Sequence, residues 1–414
     1  MKIIPLFFLI AITASAQGQA ALPFLQIGTS LSGNGMGEVR GSLNNGSTLM
    51  ATYNPGLLGV QSLSNRFSSE FFEHRSAWLP TFHLSDLWIR SMAVSGGDVM
   101  SDGTDGSLRW AIGAGYHQTY LSLGQFVVTT EYGPDDIVST NTGYERIDGI
   151  SFGAAMQFGI TTGVGVNVKR AVSSLHSISA TGGAKDEATP WMMDIGLFMD
   201  APLIPEGGRR IELTPSIALA TEGGLSFSYV YSNMGQDVRY TSSTYSDPLP
   251  RMITAGMALH AGLTADIGGL QFPLVSGIVV REANDLAVRR STDGSKWTFQ
   301  WGLDDIDIGN NLLLGNVTRN VTLRRGSEFT VLGLVSFRSG TNNMPSREFI
   351  VTTGTAFHVH GLFPYVAGLF APIHDNAVMA FVLDRLQISY IRSEYESNGV
   401  LNGTTFSGFV IGVH

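Results

Sequence analysis

The chain has 414 residues, a formal net charge of −9 and only 14% charged residues, against roughly 25% in ordinary globular domains. Hydrophobic residues stay at 43%, enough to fold, and the acidic balance without a Lys/Arg block excludes a phosphate-binding nucleic-acid surface. No cysteine is present, which excludes a disulfide scaffold, a thiolate metal site, a cysteine nucleophile and a lipidated N-terminal cysteine.

Lys2 precedes an apolar run from Ile3 to Ala14, and Ala14-Ser15-Ala16 are small residues spaced as a signal peptidase requires. Residues 1–16 are therefore expected to be an export signal cleaved after Ala16. The run is too short to span a bilayer, and no later stretch reaches the 18 or so apolar residues of a membrane helix. An exported chain of this kind is either soluble outside the cytoplasm or a β-barrel of an outer membrane.

Three glycine- and asparagine-rich blocks come next: Gly28 to Gly37, Asn44 to Thr48, and Tyr53-Asn54-Pro55-Gly56-Leu57-Leu58-Gly59. Gly33 to Gly37 is not a phosphate loop, since no strand precedes it in a βαβ context and no lysine follows. Its better reading is a tight bend.

Period two then dominates. Leu108, Trp110, Ile112, Ala114 and Tyr116 oppose Arg109, Ala111, Gly113, Gly115 and His117. Ile150, Phe152, Ala154, Met156, Phe158 and Ile160 oppose Ser151, Gly153, Ala155, Gln157, Gly159 and Thr161, a strand long enough to cross a membrane at a tilt. A tight turn is expected at Thr161-Thr162-Gly163, before Val164, Val166 and Val168. Trp191 to Asp200, Leu225 to Ser232, Ile253 to Ala261, Trp297 to Trp301, Phe349 to Val359, Leu386 to Ile391 and Phe409 to Val413 continue the series. A soluble sandwich alternates too, but its polar face is rich in Lys, Glu and Thr. Here that face is mostly Gly, Ser, Ala and Thr, as suits lipid outside and a crowded lumen inside. Polar stretches at Glu131–Arg146, Met234–Arg251, Arg281–Lys296, Asp304–Glu328, Arg338–Arg347 and Ser393–Thr405 are the expected outer loops. Trp88, Trp110, Trp191, Trp297 and Trp301 sit near strand ends, where indoles favour the membrane interface.

Motifs of chemistry are weak. Gly149-Ile150-Ser151-Phe152-Gly153 matches the G-x-S-x-G string of serine hydrolases but lies within a strand, not at a strand-to-helix turn. His358 and His360 share a strand and are metal candidates only with His374 or His260, without a carboxylate or cysteine at fixed spacing. Asp98, Asp102 and Asp105 fail the EF-hand pattern, and Asp304, Asp305 and Asp307 read as a solvated loop. No catalytic residue, metal or cofactor is expected.

The N-terminal blocks resemble the FadL superfamily of outer-membrane barrels and, within it, the PorV/PorQ branch. That branch carries a Gly-Met-Gly segment, an Asn- or Asp-rich bend and an aromatic-Asn-Pro-Ala-x-Leu block at its mature N-terminus. The matching residues are Gly35, Met36 and Gly37, then Asn44 to Thr48, then Tyr53, Asn54 and Pro55, with Gly56 where the branch has alanine. A second stretch is similar to the same branch: Asn233-Met234-Gly235, a loop with Tyr240 and Tyr245, then Asp247-Pro248-Leu249-Pro250. The resemblance implies an all-β, antiparallel up-and-down barrel of about fourteen strands with an N-terminal hatch in the lumen. The implied division is signal 1–16, hatch 17–59 and barrel 60–414, as a monomer in the bacterial outer membrane.

Two functions follow from the resemblance. One is a PorV-like, non-enzymatic partner in type IX secretion that receives exported cargo at the cell surface, with Tyr240, Tyr245, Asp247 and Pro248 as the candidate partner-binding loop. The other is a FadL-like channel for long-chain fatty acids or other hydrophobic small molecules.

Overall fold

The computed structural model describes residues 20–82, 86–103, 108–129, 137–176, 185–204, 210–214, 217–241, 245–267, 270–290, 297–345, 349–363, 385–396 and 401–413. The expected export signal, Asp105 and His374 lie outside the described residues.

Fourteen strands form a closed antiparallel ring: β1 (Phe67–Phe72), β2 (Leu87–Asp102), β3 (Arg109–Thr129), β4 (Ile137–Phe158), β5 (Ile160–His176), β6 (Trp191–Ile204), β7 (Ile217–Gly235), β8 (Met252–Ile267), β9 (Leu270–Leu286), β10 (Thr322–Val331), β11 (Val335–Asn343), β12 (Phe349–His358), β13 (Leu386–Tyr395) and β14 (Thr405–Val413). Each pairs with its neighbours in sequence, and β1 closes on β14 with Phe67 opposite Val413. Closure leaves no sheet edge, which a spanning β-structure requires because lipid offers backbone groups no partner.

The alternation decides which face meets lipid. Ile150, Phe152, Met156, Phe158, Ile160 and Val164 are exposed, whereas Ser151 and Ala155 on the same sheet are buried. An apolar exterior around a closed ring is what a membrane barrel needs; the protein is an outer-membrane β-barrel. Short connections such as Gly159 and Leu332–Leu334 mark the periplasmic end, where β1 begins and β14 ends. Trp88, Tyr120 and Tyr144 stack at the opposite, extracellular end, with ring centroids 5.1 and 5.4 Å apart.

Three expectations need correction. The turn between β4 and β5 is not Thr161-Thr162-Gly163 but Gly159 alone, at φ 71°, and Thr161 to Gly163 pair within the ladder. Glycine takes this left-handed conformation without the Cβ clash that would burden another residue. Several expected loops are strand: Ile137–Arg146, Met234–Gly235, Arg281–Leu286, Thr322–Glu328, Arg338–Asn343 and Ser393–Tyr395. Above the lipid band a strand needs ladder partners but no apolar face, so hydropathy loses sight of it. Trp297–Phe299 is not a barrel strand; it pairs with Val288–Arg290 in a separate small hairpin.

The N-terminal segment fills the lumen as a plug. It carries α1 (Leu31–Asn34), α2 (Thr48–Tyr53) and α3 (Gly56–Ser62), and runs to β1. Ser30 and Ser47 cap the first two helices by accepting from Gly33 N and Met50 N. Leu31, Met36, Met50, Leu57 and Leu58 are fully buried.

The plug explains much of the glycine content. At one side α3 lies directly on strand backbone: a Cβ on Gly153 would sit 2.7 Å from Gly59 N, and Gly113, Gly163, Gly165 and Gly196 face Ser62, Gly56 and Pro55 as closely. At the other side Met36 and Gly37 press on Gly326, Gly340 and Gly354-bearing strands, and a Cβ on Gly37 would meet Thr341 O at 2.5 Å. Two seats without side chains therefore hold the plug across the barrel.

Candidate functional site

Buried carboxylates fasten the plug to the wall. Glu282 on β9 accepts three successive plug amides, Arg40 N, Gly41 N and Ser42 N, at 2.8, 2.6 and 2.7 Å. Glu70 on β1 accepts Leu31 N, Leu49 N and the Ser47 hydroxyl. In the reverse sense Glu38 of the plug accepts from Asn342 Nδ2 and Tyr395 Oη at 2.6 and 2.7 Å. Inside a low-dielectric lumen each such bond is strong, and each lost partner is costly.

The residues expected to mark the hatch are all in this contact surface. Gly35 lies against Gly354, Met36 is fully buried, and Gly37 donates its amide to Thr352 Oγ1 at 2.8 Å. Tyr53 Oη takes the Thr29 amide and donates to Ile27 O. Asn54 donates to Gly41 O and Leu197 O while accepting from Gly56 N, and Pro55 packs into the Gly196 seat. Gly56 leaves no room for a side chain: a Cβ there would lie 2.8 Å from Gly163 O.

Above the plug an apolar cluster closes the extracellular mouth. Leu22, Phe24, Leu25 and Leu31 of the plug join Ile89, Leu121, Ile350 and Tyr395 of the inner wall and Val238, Leu249 and Phe406 from the rim. The 236–251 loop folds inward over this cluster. Val238 and Asp247 bridge its two arms, and Pro248 O accepts the amide of Ala21. Tyr240 turns in to Ser173 at 2.8 Å, its phenol pushed above the usual range by burial, whereas Tyr245 at the loop is 84% exposed. Of the candidate partner-binding residues, then, Tyr245 and Asp247 are exposed, whereas Tyr240 and Pro248 turn inward.

Beneath the cluster lies a cavity of about 50 Å³, room for roughly three to five waters. Phe24, Leu25, Ile27, Ile147, Val230 and Met252 line its apolar side, and Arg40, Tyr53, Lys169, Asp194 and Asn233 its polar side. The polar side is mostly committed. Lys169 pairs with Asp194 at 2.8 Å and donates to Asn233 Oδ1 at 2.7 Å. Asn233, at φ 59°, donates its amide to Asp194 and its side chain to Pro250 O, tying the loop to the wall. Arg40 differs. It is 4% exposed and donates one nitrogen to Gln26 O, but its Nε and Nη1 have no hydrogen-bond partner among the described residues.

The weaker motifs are structural. Ser151 donates to Asn167 inside β4, with no strand-to-helix turn. His358 is held between the hydroxyls of Ser336 and Ser389 at 2.8 and 2.7 Å beside His360, while His260 lies 3.8 Å from Asp200, so His358 and His260 have separate partners. Asp304 and Asp305 are not simply solvated: with Asp285 they surround Arg289 Nη2 at 2.8 to 2.9 Å, a guanidinium standing where a cation would.

Sequence reasoning missed Arg40, Glu70, Glu282, Lys169 and Asp194. The signal present was charge at inward phase in strands: Lys169 and Asp194 fall on the non-lipid side of their alternation. Arg40 had no such signal, because the plug has no period.

No protein-family model matches the chain, and no curated protein matches it. Among solved structures it is similar to the Ralstonia pickettii toluene transporter TbuX, at 12% identity and TM-score 0.38 over 93% of this chain and 97% of that one. A Pseudomonas aeruginosa FadL homologue matches at 11% identity and TM-score 0.34, and the Pseudomonas putida toluene transporter TodX at 12% and 0.36, each with the same two coverages. At these scores the likeness adds nothing to what the barrel itself shows.

Proposed function

We propose that the protein is an outer-membrane channel for hydrophobic molecules that carry a carboxylate, with long-chain fatty acids as the class that fits both ends of the site. The carrying observation is Arg40, buried with two unpartnered N–H groups at the base of an apolar cluster that closes the mouth. A tail leaving water gains roughly 25 cal/mol for each Å² buried. The head meets a guanidinium whose hydrogen bonds to a charged acceptor contribute about 1.5–3 kcal/mol. The resting cavity has room for the head, so the tail enters by displacing plug side chains such as Phe24 and Leu25.

Cargo exchange in type IX secretion has less support. It calls for an outward rim, and the loop that would supply it turns Tyr240, Val238 and Leu249 inward. Binding of oleate to the purified barrel tests the choice. Arg40→Gln is expected to weaken oleate binding about tenfold or more, while an uncharged apolar ligand such as toluene binds as before. Equal oleate affinity in the variant, with exported cargo captured by way of Tyr245, would favour the secretion reading.

A further inference from the structure

On β7, β8 and β9 the outward positions begin as expected for lipid contact: Leu225, Leu259 and Val279 are exposed. Toward the extracellular end the same outward series continues through Tyr231, Ile253 and Ala283, yet these are 4%, 0% and 0% exposed. What covers them is residues 297–321 of the connection from β9 to β10, whose Ile306, Leu312 and Val321 pack on them along the outside of the barrel.

Several attachments hold it there. Tyr231 stacks on Trp301 with centroids 5.0 Å apart and planes 2° from parallel. Tyr229 and Tyr231 donate to Gly302 O and Gln300 O at 2.7 and 3.0 Å. Arg289 clamps Asp285 of the wall to Asp304 and Asp305 of the connection. The helical turn Ile308–Leu314 ends against two outward arginines of the wall, Arg281 donating to Leu312 O and Leu313 O, and Arg325 to Gly315 O. These bonds satisfy the carbonyls that a helix end leaves open.

The flap so attached turns a second apolar face outward. Trp301, Leu313 and Leu314 are 70%, 59% and 69% exposed, with Ile308 and Val317 beside them in sequence also exposed. We propose that this face is seated in the outer leaflet, and that lipid acyl chains are its partner. The face adjoins the lipid-facing band of the strands it covers, an interface the barrel already establishes. Its carbonyl ends are bonded to the wall, so immersion does not strand them. An indole at the upper limit of an apolar band is the usual membrane-interface placement.

The absence of cysteine makes single-site labelling clean. A spin label on Leu314→Cys, with Leu313→Cys as a second site, is compared in reconstituted phospholipid bilayers with Phe329→Cys on the barrel exterior and Tyr245→Cys on the mouth loop. All four replaced side chains are exposed, so folding is undisturbed. Labels at 313 and 314 are expected to match 329, with oxygen reaching them several-fold better, relative to a water-soluble nickel complex, than it reaches 245. Accessibility equal to that at 245 would overturn the proposal in favour of a solvated flap. Shielding from both reagents would overturn it in favour of a protein partner or a second copy.

Discussion

Gly59 and Gly153 meet backbone to backbone, and this contact fixes how deeply α3 sits in the lumen. Any side chain at either position must push the plug from the wall, since strand backbone does not yield as a flexible side chain does. Gly153→Leu is accordingly expected to leave the barrel folded, with the usual difference in gel mobility between unheated and boiled samples, but to raise conductance in planar bilayers. Glu282 acts at the same scale by chemistry. Its removal in Glu282→Ala orphans three buried amides at about 1–3 kcal/mol each, so a lowered unfolding temperature together with a raised conductance is expected. Unchanged conductance in both variants would show that the plug does not depend on these attachments.

At the scale of elements, the mouth loop and the outer flap are both connections that sequence hydropathy reads as solvated. The loop 236–251 instead buries Val238 and Leu249 against Leu22 and Phe24. Replacing it with a short Gly-Ser turn is expected to uncover the cluster, raising binding of an apolar dye while preserving oleate uptake; loss of uptake would make the loop part of the route. Acid is expected to loosen the flap through Asp305. Asp305 is held below the usual carboxylate value, first by the Asn320 amide and then by Arg289. A depressed value means its contribution is present above pH 3.8 and is lost as the pH falls below that. A label at Leu314→Cys should therefore gain mobility as the pH falls below 3.8, and constant mobility there would place the flap's hold elsewhere. Alternation made the 149–168 part of β4 and β5 legible because there each strand turns one apolar face to lipid. It missed β9, where Arg281, Ala283 and Asp285 face outward under the flap rather than toward lipid. The inward loop was invisible for a related reason: Val238 and Leu249 are isolated apolar residues whose partners are distant in sequence.

Taken as a whole molecule, the barrel is a wall thinned by glycine, a plug clamped by carboxylates and a mouth closed by apolar side chains above the buried Arg40, whose Nε and Nη1 have no partner among the described residues. Membrane strands were legible where lipid imposes alternation, as in β3 to β8, while the count of about fourteen came from the family resemblance. The site was not legible, because Arg40 gains its meaning from Phe24, Leu25 and a cavity that only the closed fold creates. Plug and channel make sense together if the plug's N-terminus yields to a molecule that can replace its apolar contacts and satisfy Arg40. The most direct measurement is uptake of labelled oleate by Gram-negative cells that lack their own long-chain fatty-acid channel and produce either this protein or its Arg40→Gln variant. The expected result is uptake well above the empty-cell background with the unaltered protein and a fall toward that background with Arg40→Gln, at equal amounts of folded barrel. Background uptake with the unaltered protein, or equal uptake by both, would contradict the channel reading.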